Sequence, residues 1–128
     1  MYQKFNISVN AAMIDFPCTE CGECCRHVGT ILSKTDIPDT PIGRLFRDFP
    51  YGVNEEGYCE MLIDGKCSVY ENRPLVCNIK QMNKYFYNNS AEHYLNCALV
   101  CNFLIDKAGL DKKYRIDTAK LAKALVAN

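Results

Sequence analysis

Apolar positions recur at helical spacing most clearly toward the end of the chain. Along a helix predicted over about Ala91 to Lys107 and just past it, Cys97, Cys101, Leu104 and Ala108 fall at i, i+4, i+7 and i+11, which places them on one face. Ser90 precedes this run as an N-cap and Gly109 follows it as a C-terminal stop. A last helix, about Thr118 to Val126, begins at Asp117 or Thr118 and carries Leu121 and Leu125 as its apolar stripe. Pro74 suits the first position of a short helical segment running through Cys77. The stretch Tyr58 to Tyr70 (YCEMLIDGKCSVY) reads as a hairpin. Its Asp64-Gly65 is a two-residue turn signal between Met61-Leu62-Ile63 and Cys67-Ser68-Val69-Tyr70. Such a hairpin would bring Cys59 and Cys67 to one end of two paired strands. Residues 26–58 hold Pro38, Pro41, Pro50, Gly43, Gly52 and Gly57, so they break into short turns. That stretch has room for one or two helical turns near Leu45-Phe46 and a brief strand at Thr30 to Leu32. The predicted fold class is small, mainly α with minor β and long irregular segments.

With 128 residues and neither repeats, low-complexity tracts nor a credible linker, the chain is expected to form a single domain over residues 1–128. Fifteen basic residues balance fifteen acidic ones. A nucleic-acid or anionic-membrane binder carries a basic excess, so both partner classes are disfavoured. The longest apolar runs, Ala98-Leu99-Val100 and Phe103-Leu104-Ile105, fall far short of the ~20 residues a membrane-spanning helix needs.

Cysteine changes the picture. Nine cysteines in 128 residues come just short of the roughly 8–10% that marks disulfide scaffolds. The opening Met1 to Asp15 has Lys4 but neither an apolar core of signal-peptide length nor a small-residue cleavage pattern, so a cytoplasmic location is expected. Thiols stay reduced there, and a cysteine cluster then reads as metal binding rather than disulfides. The odd count agrees, because closed pairing would leave one thiol over. The cysteines fall in three blocks: Cys18, Cys21, Cys24 and Cys25 as C-x2-C-x2-C-C; Cys59, Cys67 and Cys77; and Cys97 with Cys101.

C-x2-C suits a metal because a tight turn presents two sulfurs on one side of the chain, and backbone N–H groups around it stabilise thiolates. Gly22 fits such a turn. Four thiolates satisfy one tetrahedral zinc at Zn–S ~2.3 Å. Cys24 and Cys25 are adjacent, so their side chains diverge, which favours service to two metals or a bridging role. Two closed solutions exist. Two separate sites use eight sulfurs and leave one spare; three zinc ions need twelve bonds, which nine cysteines supply if three bridge. Of the basic residues, only Arg26 and Arg73 sit beside the cysteines in sequence. A third reading is an iron–sulfur cluster, since Cys18, Cys21 and Cys24 repeat the run of bacterial ferredoxins. Against it, the fourth cysteine of that pattern is normally followed by proline, and no cysteine here is.

The opening C-x2-C-x2-C-C, followed by Cys59 and by Cys67-Ser68-Val69-Tyr70-Glu71-Asn72-Arg73-Pro74-Leu75-Val76-Cys77, resembles the CxxCxxCC, or YkgJ-like, zinc- or iron-chelating domain family. The family's C-x-[IV]-Y-x-x-R-P-x-x-C block is matched at every position. Cys101, eight residues before Gly109-Leu110, is similar to the family's final cysteine. The resemblance spans roughly residues 16–110 and implies metal ligands at Cys18, Cys21, Cys24, Cys25, Cys59, Cys67, Cys77 and Cys101. Cys97 lies outside that pattern, and its place among the ligands rests on the shared helix face with Cys101. A flagellin lysine methylase has a similar cysteine block, which keeps iron–sulfur methyl transfer as an analogy.

Other residues read more plainly. Arg73 and Tyr70 are expected beside the ligands, Arg73 offsetting thiolate charge or bonding carbonyls rather than clamping a substrate. His27 and His93 are candidate fourth ligands or bases, but read first as surface or supporting residues. Tyr85-Phe86-Tyr87-Asn88-Asn89 reads as a packed loop or a helix entry. Asn6-Ile7-Ser8 and Asn88-Asn89-Ser90 match the glycosylation pattern, which carries no weight inside a cell. The favoured reading is a cytoplasmic, non-enzymatic protein whose cysteines chelate two or three zinc ions that organise the fold, with room for a protein partner. Its alternatives are an iron–sulfur protein and an enzyme with an open zinc or iron site. Metal trafficking is disfavoured because ligands on three distant segments favour tight holding.

Overall fold

The computed structural model describes residues 11–33 and 36–127, so Asn6-Ile7-Ser8 and the residues before Ala11 lie outside the described residues. The described residues are mainly helical with one two-stranded sheet. The chain resolves into two compact units: the described parts of Met1–Thr19 and Ile79–Asn128 gather in one, and Glu20–Asn78 forms the other.

In Glu20–Asn78, α1 (Glu23–Arg26) and α2 (Val28–Leu32) follow each other with His27 between them. The brief strand expected at Thr30 to Leu32 is therefore helical. It has no partner strand among the described residues, and Ile31 and Ser33 instead donate to carbonyls four residues back. The expected turns near Leu45-Phe46 are α3 (Pro41–Arg47), with Pro41 at its start and Thr40 Oγ1 accepting from Gly43 N–H at 3.0 Å. The hairpin forms where expected but is shorter. β1 (Leu62–Ile63) pairs antiparallel with β2 (Lys66–Cys67) in the register Leu62 to Cys67 and Ile63 to Lys66. Asp64 (φ 53°) and Gly65 (φ 78°) both take positive φ, as the mirror-image two-residue turn demands. The segment through Cys77 is a single 3-10 turn, Leu75–Cys77, entered by Pro74 at the capping position rather than inside it.

In the other unit, α4 (Ile79–Phe86) takes in Tyr85-Phe86, where a loop or helix entry was expected; the turn comes at Tyr87 to Asn89. Helix α5 (Ala91–Lys107) has the predicted bounds. Ser90 Oγ accepts from His93 N–H at 3.1 Å, and the end closes on Gly109 (φ 70°), with Gly109 N–H on Asp106 O and Leu110 N–H on Ile105 O. Helix α6 (Thr118–Ala127) starts behind Asp117, whose Oδ1 accepts from Lys120 N–H at 3.0 Å.

The core here runs along Ala91, Tyr94, Ala98 and Ile105 of α5, with Leu121 and Leu125 of α6, Ile116 and Ala11. That stripe is rotated from the expected face: Cys97, Cys101 and Leu104 are half-buried on its flank and Ala108 is exposed. Two buried asparagines tie the connections to it. Asn83 donates to Ser90 O and accepts from Ser90 N–H, while Asn102 donates to Ile116 O and accepts from Ile116 N–H. Residues 11–19 are held by Tyr94, whose hydroxyl donates to Ile14 O at 2.9 Å and whose ring meets Phe16 edge-on.

Candidate metal centre

Six cysteines lie in Glu20–Asn78, on short elements or next to them. Cys21 precedes Gly22, and Cys24 and Cys25 sit in α1. Cys59 closes a bridge with Val53, Cys67 ends β2, and Cys77 ends the 3-10 turn. Glycine is required at position 22. Its φ is +83°, and a Cβ there would stand 2.5 Å from Gly65 O, so the first cysteine loop rests directly on the hairpin turn. A second backbone tie, Cys59 N–H to Cys25 O at 2.8 Å, joins α1 to the segment entering the hairpin.

These ties bring sulfurs together. The ionisation of Cys25 is tied to that of Cys24 and, more weakly, to that of Cys59. Cys24 accepts from Cys25, which favours its thiolate and drives its pKa down to about 6; the proton retained by Cys25 pushes that thiol up. Burial pushes Cys59 up as well, against the backbone N–H of Met61, which donates to its sulfur at 3.4 Å. Cys77 is pushed up to about 12, first by burial and then by negative charge on Cys24, Cys59 and Cys67, with Arg73 opposing. Five thiols thus share one electrostatic neighbourhood in which they cannot all ionise without a cation.

Cationic side chains border this neighbourhood. The Arg73 guanidinium lies 3.9 Å over the ring of Tyr70 and donates to Tyr70 O at 3.3 Å, while its Nε is buried without a hydrogen-bond partner. Its charge favours the thiolates of Cys24 and Cys77. Arg26 donates to Glu23 at 2.9 Å and to Cys21 O at 3.3 Å. Glu23 is itself buried and has His27 Nε2 at 3.5 Å. Burial of this carboxylate has no sequence signal beyond its i+3 and i+4 spacing to Arg26 and His27.

The remaining cysteines belong to the other unit. Cys18 is exposed, and its N–H donates to Phe16 O at 2.8 Å. Cys101 packs against the core beside Ala98. Cys97 is half-buried, with burial raising its pKa, and its sulfur lies 3.5 Å from His93 Nε2. That contact makes His93 more than a surface residue; the only sequence signal for it is the i, i+4 spacing. No disulfide joins these cysteines among the described residues. Among the described residues, no three His, Cys, Asp or Glu side chains are drawn into a metal-holding group.

The donor set nonetheless fits a zinc or iron ion in its chemistry. Thiolates are soft donors suited to both. Here burial and then neighbouring negative charge hold the Cys77 thiol protonated, one sulfur already accepts a backbone N–H, and a guanidinium stands by without its full complement of partners. A family model described as "Putative zinc- or iron-chelating domain", CxxCxxCC, matches residues 17–102. No curated protein and no solved structure matches the chain.

Proposed function

The chain belongs to the CxxCxxCC family of zinc- or iron-chelating domains, and from that premise we propose that its cysteines hold two or three zinc ions that organise the fold of a cytoplasmic binding protein. The proposed ligands are Cys18, Cys21, Cys24, Cys25, Cys59, Cys67, Cys77, Cys97 and Cys101, with Arg73 and Tyr70 supporting them.

One observation carries this reading. Among the described residues of Glu20–Asn78, the only buried hydrophobic side chains are Cys25 and Cys59; no leucine, isoleucine, valine, phenylalanine or methionine of that unit is buried. A unit of this size whose aliphatic side chains are at best half-buried gains less from burial and calls for another source of stability. Bound structural zinc supplies about 10–16 kcal/mol in small peptides, as much as the whole ~5–15 kcal/mol net stability of a domain. The thiols therefore stand where a core would. The role of the residues here is to gather, desolvate and charge-balance the ion: Gly22 and Gly65 bring the loops together, Met61 N–H donates to sulfur, and Arg73 offsets negative charge.

Zinc content decides the matter. Protein purified without oxygen from its native host should contain two or three zinc ions per chain and be colourless. A brown protein with visible absorbance and iron in place of zinc would overturn the zinc assignment in favour of an iron–sulfur centre. A chain with no bound metal would overturn the proposal as a whole.

A further inference from the structure

One pair of metal-competent donors in contact lies outside the cysteine neighbourhood of Glu20–Asn78. His93 and Cys97 are one turn apart on α5, and His93 Nε2 lies 3.5 Å from Cys97 Sγ. Helical spacing brings such side chains near each other. It does not fix the plane of the imidazole.

That plane is fixed by Tyr87, in the turn after α4. The two rings are stacked, with centroids 3.9 Å apart and planes within 11°. The turn is itself held by Asn83, which bonds both ways to the backbone of Ser90, and Ser90 caps the helix through the N–H of His93. The imidazole is thus oriented before any ion arrives. The orientation also decides which nitrogen is available: Nδ1 is buried without a partner, whereas Nε2 faces the sulfur.

The separation matches coordination geometry. With a metal–sulfur bond of ~2.3 Å, a metal–nitrogen bond of ~2.0–2.1 Å and a tetrahedral angle, the two donors stand about 3.5 Å apart. We propose that His93 Nε2 and Cys97 Sγ are ligands to one shared divalent ion of the zinc type, making a mixed nitrogen–sulfur contribution to the metal content. This deepens the zinc reading above and rests on it. The proton then resides on Nδ1, whose burial without an acceptor opposes binding, so this pair holds its ion less tightly than the all-thiolate cluster.

The chain has two histidines, so the imidazole nitrogen resonances of the full-length reduced protein are readable one by one. Zinc added to 15N-labelled protein should shift Nε2 of one ring, and His93→Gln should delete that signal. Cys97→Ser keeps the ring and its stack, exchanges the sulfur for a poor zinc donor, and should abolish the shift while the His93 signal persists. If zinc fills the cysteines and the His93 resonance stays where it was, or the His27 signal moves instead, the pair is only a hydrogen bond and the inference fails with the zinc reading intact. If zinc binds nowhere, both fail together.

Discussion

Gly22 lies against the carbonyl oxygen of Gly65 so closely that a Cβ on Gly22 would stand 2.5 Å from it, whereas a Cβ on Gly65 would meet nothing nearer than Arg26 Nη2 at 3.8 Å. Both residues take positive φ, but only at Gly22 would an added Cβ also strike a neighbour. Gly65→Ala should cost about 1 kcal/mol, the strain of its backbone conformation alone. Gly22→Ala should cost more than about 2 kcal/mol, because the cysteine loop and the hairpin turn must separate as well. Chemical denaturation of the zinc-loaded protein measures both; equal losses would mean the contact contributes nothing.

Chelation should act unevenly along the chain. A strong chelator under reducing conditions is expected to raise amide hydrogen exchange throughout Cys59–Cys77 and α1, where Cys25 and Cys59 are the buried hydrophobic side chains. Amides of α5 around Tyr94 and Ala98 should keep much of their protection, because a hydrocarbon core lies beneath them. Exchange that is unchanged in Cys59–Cys77 after the metal is removed would contradict the structural role given to the ion.

The two asparagine clamps offer a test free of metal. Asn102 satisfies both backbone groups of Ile116 from a buried position. Asn102→Ala leaves that N–H and C=O without partners and should destabilise the protein by about 2–6 kcal/mol, at roughly 1–3 kcal/mol for each buried group left unpaired. Asn83→Ala should do the same at Ser90 and also loosen the cap of α5. Urea midpoints of the two variants are the readout, and losses below about 0.5 kcal/mol would show that water replaces the side chains.

Tyr94 sets an alkaline limit. Burial pushes its hydroxyl up to about 12 from an ordinary 10, with the negative charges of Asp15 and Cys97 adding to the shift. The folded state therefore keeps a proton that the unfolded state gives up near pH 10. The stabilisation is fully present below pH 10 and is lost as pH rises toward 12. In Tyr94→Phe this loss should be shallower, although the variant starts lower because Ile14 O loses its donor. A tyrosinate absorbance titration should find one ring ionising late, together with unfolding.

Much of this architecture can be read from local signals. Ser90, Gly109 and Asp64-Gly65 act on their own backbone, and each appears where its chemistry places it. The face of α5 could not be read that way. Leu99, Val100 and Phe103 are exposed while Tyr94, Ala98 and Ile105 are buried, so the helix is apolar nearly all round and periodicity cannot select one stripe. Helix α4 is obscured differently. Ile79, Met82 and Phe86 have the right spacing, but Asn83, a polar residue, occupies the buried face for the sake of Ser90. Helices α1 and α2 are four and five residues long, too short for any repeat to show. For the metal centre, spacing names the sulfurs without saying which of them meet. That depends on contacts such as Gly22 on Gly65 and Cys59 on Cys25, which join residues more than thirty positions apart.

An interior made of sulfur has a thermal consequence. The rise in heat capacity on unfolding comes from wetting hydrocarbon, and the aliphatic side chains described in Glu20–Asn78 are half-buried or exposed, none fully buried. Its stability curve should then be flatter, with less weakening on cooling, than that of a unit of the same size with a fully buried hydrocarbon core. What governs its occupancy is mass action: each tenfold fall in free ion removes about 1.4 kcal/mol per site at one site's stoichiometry. Such a unit responds to scarcity of its ion more steeply than to warmth.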